Sequence, residues 1–310
     1  MNFRDAVGCY MDDMERRNFS ERTLSNVEIQ LRNLERFLVG KEMTDLKLVT
    51  PLLLTQWQLR LMDEPTRQGI VRQASSRNKL LSAAKGFFRF LKNEGHLESD
   101  PAHDIEYAKE PRRLPRNILT ASEAVKIIES VDTTTTLGFR DRTILEVMYA
   151  SGIRRNELLS LKPEDVNLEE GLLRINEGKG GHDRVVPLSR VAVRFLESYM
   201  KAVRSDLLKG RHSDRLFVSL RGKGLVGETL RHMIRKAAKT AGVDKRVTPH
   251  TWRHSVATHL VKNEAHLRCV QALLGHRSLS TTEKYLHLTI NDLKAAHRKF
   301  HPREKGNERG

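Results

Sequence analysis

"GLLRINEGKGGHDRVVPL", residues 171 to 188, is where helical spacing gives way to two short β-prone runs around a glycine-rich turn. It reads as a β-hairpin, and most of the chain on either side of it reads as helix. Before it, "TASEAVKIIESV" and "RDRTILEVMYASG" are helical; after it, helices resume from about Ser189, with "LFVSLRGKGL" a candidate extra strand and turn. Among the first hundred residues strand signals are nearly absent. Apolar residues recur at helical spacing in "TLSNVEIQLRNLERFLV" (Leu24, Val27, Leu31, Leu34, Leu38) and in "NKLLSAAKGFFRFLKNEG". Ser20, and Thr50 before Pro51, look like helix starts; Gly40 and Gly95 look like ends. The expected fold is therefore mainly α with a small antiparallel β-sheet.

At "KEPRRLPRNILT", residues 109–120, two prolines and four basic residues interrupt the periodicity. That predicts a helical domain over 1–108, a linker over 109–120, a second α+β domain over 121–302 and a frayed polar tail over 303–310. A chain of 310 residues with 38% hydrophobic content can fill two cores. No apolar run approaches the roughly 18 residues of a membrane-spanning helix, and no secretory signal opens the sequence. The expected location is the cytoplasm, with the nucleoid. Cys9 and Cys269 lie far apart without CxxC spacing, which points to neither a disulfide framework nor a cysteine zinc site; both are expected to be buried or incidental.

Charge narrows the partner. There are 55 Lys+Arg against 39 Asp+Glu, a net +16, and a polyanion is the simplest match for such a surface. Residues 1–110 hold 17 basic and 17 acidic side chains, so the excess of 38 over 22 falls after residue 110. Within the neutral part, Thr66 to Asn93 carries seven basic residues and no acid, among them Arg72, Arg77, Lys79 and Lys85, which are candidate contacts to DNA phosphates.

Chemistry gathers in the second half. In "VTPHTWRHSVATHLV", Thr248 is a helix N-cap and Pro249 the first helical residue, so His250 and Arg253 share one face at a helix N-terminus suited to phosphate. His254 and His259 follow, but with no HExxH and no matched carboxylate they do not make a zinc site. In "YASGIRRNELLSLK", Gly152 ends one helix and Arg154 opens the next, where Glu157 can brace the guanidinium. The hairpin turn presents Lys179 between two glycines, a candidate general acid; the order of residues is wrong for a P-loop. In "LLGHRSLSTTEKYLH", Ser280 and Glu283 have capping-box spacing, placing Tyr285 in the second turn of a short helix with His276 in the loop before it. A phenol of pKa about 10 is a weak nucleophile and needs cationic neighbours, which this sequence supplies.

"SGIRRNEL", "GKGGHDRVVPL", "TPHTWRHSVATHL" and "LLGHRSLSTTEKYLH" resemble, in order and separation, the four successive signatures of the tyrosine recombinase (phage integrase) family. "SERTLSNVEIQLRNLERFL" and "KLLSAAKGFFRFLKNEGHLESDPA" resemble its SAM-like helical core-binding domain, and the compact size is most similar to Xer-like members. The resemblance implies that Arg154 and Arg253 clamp the scissile phosphate. His250 and His276 would donate hydrogen bonds to it, Lys179 would protonate the departing 5′ oxygen, and Tyr285 would hold the DNA as a 3′-phosphotyrosyl ester. It also implies no cofactor, a clamp around double-stranded DNA, and four protomers on two sites that exchange a carboxy-terminal helix, for which 288–300, with Leu288, Leu293 and Phe300, is the candidate. An intrachain helix is the other reading of that segment. Two departures stand out: His276 lies where some members carry tryptophan, and "GGH" replaces a more polar turn after Lys179. The competing functions are a type IB topoisomerase-like enzyme and a non-catalytic DNA-binding factor with the same clamp.

Overall fold

The helix-start signals do what their chemistry suggests. Ser20 and Thr50 accept hydrogen bonds through their hydroxyls from the backbone N–H of Thr23 and Leu53, and Pro51 occupies the first helical position, where its missing N–H is no loss. The computed structural model describes residues 1–65, 69–110, 118–176, 183–275 and 290–303, without the side chains of 267 and 290–293. The chain divides into two compact units, Met1–Arg113 and Leu114–Gly310.

The first unit is a bundle of α1 (Phe3–Arg16), α2 (Glu21–Val39), α3 (Pro51–Asp63) and α4 (Ala74–Asn93). The apolar stripes of these helices converge on Leu34, Trp57, Phe87, Phe88 and Leu91, all buried, each contributing roughly 1.5–3 kcal/mol by leaving water. The buried Trp57 indole donates to Asn33 Oδ1 at 3.0 Å, so its one polar atom is satisfied. Cys9 is exposed and Cys269 half-buried, and both are free thiols.

The second unit is built around α6 (Thr136–Ser151), in which every residue from Thr143 to Ser151 is buried. A helix covered on all sides has no polar stripe. Around it lie α5 (Ala121–Glu129), α7 (Arg155–Ser160), α8 (Arg190–Ser198), α9 (Arg204–Leu208), α10 (Gly227–Thr240), α11 (Pro249–Lys262), α12 (Leu267–Leu274) and α13 (Ile290–Phe300); a π-helical turn, Tyr199–Val203, joins α8 to α9. The sheet is antiparallel, in the order β1 (Val166–Asn167), β2 (Leu172–Ile175), β3 (Arg184–Pro187), with Leu173 opposite Val186 and Ile175 opposite Arg184. The hairpin is present with an added edge strand. The candidate strand at 216–225 amounts to a single bridge, Val218 to Gly224.

Ile118–Thr120, assigned by sequence to the linker, belongs to the second unit: Ser255 Oγ accepts from the buried Leu119 N–H at 2.9 Å, and Lys245 Nζ donates to Ile118 O and Glu123. Arg303, assigned to the tail, is also held, donating to Glu146 and Glu129. α13 docks on its own unit, its His297 and the following His301 donating Nε2–H to Ala150 O and Tyr149 O, each at 2.8 Å.

Candidate active site

Two helices end in left-handed glycines, α6 at Gly152 (φ 59°) and α12 at Gly275 (φ 63°). A helix C-terminus exposes unpaired carbonyls and a partial negative charge, so cations collect there. Arg253, on the second turn of α11 and only 8% exposed, donates to Gly152 O at 2.7 Å and to Leu274 O at 2.5 Å. Arg154 donates to Gly275 O, and Arg184 Nε to Leu273 O at 3.2 Å. Three guanidinium groups thus meet on the successive carbonyls 273, 274 and 275. The chain passes from there to His276.

Arg154 occupies the N-cap position of α7, and the Glu157 carboxylate three residues on accepts both from its backbone N–H (2.8 Å) and from its Nη1 (2.6 Å). The same carboxylate receives Arg184 through Nη1 (3.1 Å) and Nη2 (2.8 Å). Burial alone would push the Glu157 pKa up, but the hydrogen bonds from Arg184 and Arg154 outweigh it and hold the carboxyl well below the usual carboxylate range. Glu157 is ionised throughout the neutral range, and Arg154 has 38% of its side chain exposed.

His250 stands exposed on the first turn of α11, whose N-cap Thr248 accepts from Thr251 N–H. Its ring lies 6.5 Å from that of His254, whose pKa is lowered first by burial and then by His250. His259 has both ring nitrogens engaged: Nε2–H donates to Leu119 O at 2.7 Å and Nδ1 accepts from Tyr149 Oη at 3.0 Å, a structural role with no vacancy for zinc. Arg154, Glu157 and Arg253 are therefore brought together, with His250 on the same helix as Arg253. Lys179, His276 and Tyr285 lie outside the described residues. In the first unit, Lys79 is exposed, whereas Arg77 donates to Arg72 O at 3.1 Å. The Lys85 ammonium donates to His103 O and Ile105 O, both at 2.9 Å, bracing the segment after α4.

Residues 117–291 match the Phage integrase family, and residues 9–95 match the Phage integrase N-terminal SAM-like domain. The tyrosine recombinase XerD of Listeria monocytogenes serotype 4b is 39% identical over 75% of this chain and 78% of its own; that of Pseudomonas aeruginosa is 42% identical over 74% and 77%. The chain belongs to the phage integrase family. It is a site-specific tyrosine recombinase, and its two units are the family's SAM-like and catalytic domains. The recombinase fold is that of lambda integrase in a tetramer bound to a Holliday junction (TM-score 0.68, 22% identity, 90% of this chain and 76% of that one). XerH bound to a palindromic difH substrate gives a TM-score of 0.67 at 22% identity, covering 92% and 78%. No helix among the described residues of the recombinase is long and apolar enough to cross a membrane. The residue that sequence reasoning passed over is Arg184. Within "RVVPL" it reads as an ordinary strand residue, and its partner Glu157 lies on another element.

Proposed function

We propose that Tyr285 attacks the phosphorus of a scissile phosphodiester in duplex DNA, making a 3′-phosphotyrosyl bond as the bond to the 5′ oxygen breaks. Lys179 gives its proton to that oxygen, and His250 takes the tyrosine proton. His276 adds a hydrogen bond to a non-bridging oxygen. The observation that carries this reading is the meeting of Arg154 and Arg253 at the joined ends of α6 and α12, one residue before His276. Phosphoryl transfer asks mainly for charge stabilisation and in-line positioning, and preorganised guanidinium groups supply both. The Glu157 carboxylate fixes the fork of Arg154. The ester conserves the energy of the broken bond, so the released 5′ hydroxyl of a partner strand rejoins the DNA by the reverse attack, with no nucleotide triphosphate consumed.

Joining two duplexes requires two cleavages on each, which four copies provide. A lambda integrase tetramer on a Holliday junction has the same fold and supports a tetramer here. The deciding experiment incubates wild-type and Tyr285→Phe protein with nicked duplexes selected for binding by the wild type, and looks for a denaturant-resistant adduct. A covalent adduct in the wild type, lost in Tyr285→Phe with DNA affinity kept, is the expected result. Retention of the adduct by the variant would remove Tyr285 from the role, and clear binding without any wild-type adduct would favour a DNA-binding factor.

A further inference from the structure

We propose that Arg184 is a positioning residue of this active site, holding Arg154 through the carboxylate they share on Glu157 and holding the end of α12 through the Leu273 carbonyl. The inference rests on the recombinase reading above. Arg184 begins β3, where it pairs with Ile175 of β2, so its backbone is fixed by the sheet at the base of the hairpin that carries Lys179. From there the side chain spans two other elements at once, giving two hydrogen bonds to Glu157 and one to Leu273 O. It lies flat against the α12 cap: a Cβ at Gly275 would sit 3.1 Å from Arg184 Cδ, Cζ and Nε, and Gly275 needs φ 63° besides.

The side chain is 10% exposed, far less than that of Arg154, so it is set behind the site rather than at its open edge. Its chemistry follows from that placement. Among the described residues, Arg154 and Arg184 are the charged groups set against Glu157, and each takes part of the carboxylate, which stops it rotating away from either. A lysine would keep the charge but could not make the fork to Glu157 and the bond to Leu273 O together. Removing Arg184 takes one of its cations from a buried carboxylate and removes a donor from Leu273 O. DNA grip, which depends on exposed cations, is unaffected, while the chemical step, which depends on where Arg154 and the segment after α12 stand, slows.

The test compares wild type, Arg184→Gln and Arg184→Lys on the nicked duplex, reading duplex affinity, melting temperature, and the rate and pH profile of adduct formation. Arg184→Gln is expected to bind as wild type does, to form adduct about 100-fold more slowly, and to lose activity on the acid side at a higher pH, because Glu157 has lost a cation that holds it ionised. Arg184→Lys is expected to recover part of the rate. Wild-type rates in Arg184→Gln, or a rate loss matched by an equal loss of affinity with the acid limb unmoved, overturns the inference. If Arg184→Gln does not fold, Arg184→Lys decides alone: a slower rate at full affinity supports the inference and a wild-type rate overturns it. Absence of adduct from the wild type would sink the recombinase reading instead. Titration of the Glu157 carboxyl by carbon NMR in wild type and Arg184→Lys then judges Arg184 separately, an unmoved titration counting against it.

Discussion

At Gly152 the left-handed backbone and the neighbouring packing make the same demand. A Cβ there would lie 2.6 Å from Leu274 Cδ2 and 3.5 Å from Val256 Cγ1, and φ is 59°. Gly152→Ala therefore combines backbone strain with a push on α12 and is expected to cost about 2 kcal/mol, read as a lower melting temperature. It should also slow adduct formation, because Gly152 O and Leu274 O are carbonyls that seat Arg253. Alanine melting like the wild type would show that the turn relaxes freely. The glycine was legible in sequence as a helix end. Its contact with Leu274 was not, since local spacing carries no information about a neighbour so distant in the chain.

Among the elements, α6 shows how a buried helix end is satisfied. Met148 O accepts from Gly152 N–H, Tyr149 O from His301, Ala150 O from His297 and Gly152 O from Arg253. Burial lowers the His297 pKa to about 4 and drives His301 well below its ordinary value, outweighing the hydrogen bonds that oppose the shift. Because these folded-state values lie below the unfolded one of 6.5, the unfolded chain takes up the protons first. Their stabilisation is complete above about pH 6.5 and is lost as pH falls below it, for His297 down toward 4, at up to about 1.4 kcal/mol per pH unit for each ring. His297→Gln keeps a donor and removes one titration, so thermal unfolding followed from pH 7 to 4.5 should show a shallower acid decline than the wild type; an identical decline would exclude His297. Sequence alone identified the helix starts at Ser20, Thr50 and Thr248, because capping is a local interaction. It missed β1, too short to alternate, and it missed Arg184, His297 and His301, whose partners lie on other elements.

Across the whole molecule, charge and core organisation divide differently. Each unit has its own hydrophobic core, whereas the basic excess falls after residue 110. DNA binding that depends on phosphate neutralisation should weaken by about 10³-fold or more between roughly 50 and 200 mM salt. Affinity measured across that range tests it, and a nearly flat response would remove the phosphate clamp. The docking of residues 297–303 on α6 has a further consequence for the order in which the protein is made. Translated at the usual pace, Arg303 leaves the ribosome roughly 10–40 s after Arg113. During that interval the first unit already has every residue of its core, while α6 still lacks the donors for Tyr149 O and Ala150 O, and buried Glu146 has Arg142 but not Arg303. A nascent chain that has not yet exposed residues 297–303 thus has the whole core of its first unit and an unsealed end of α6 in its second.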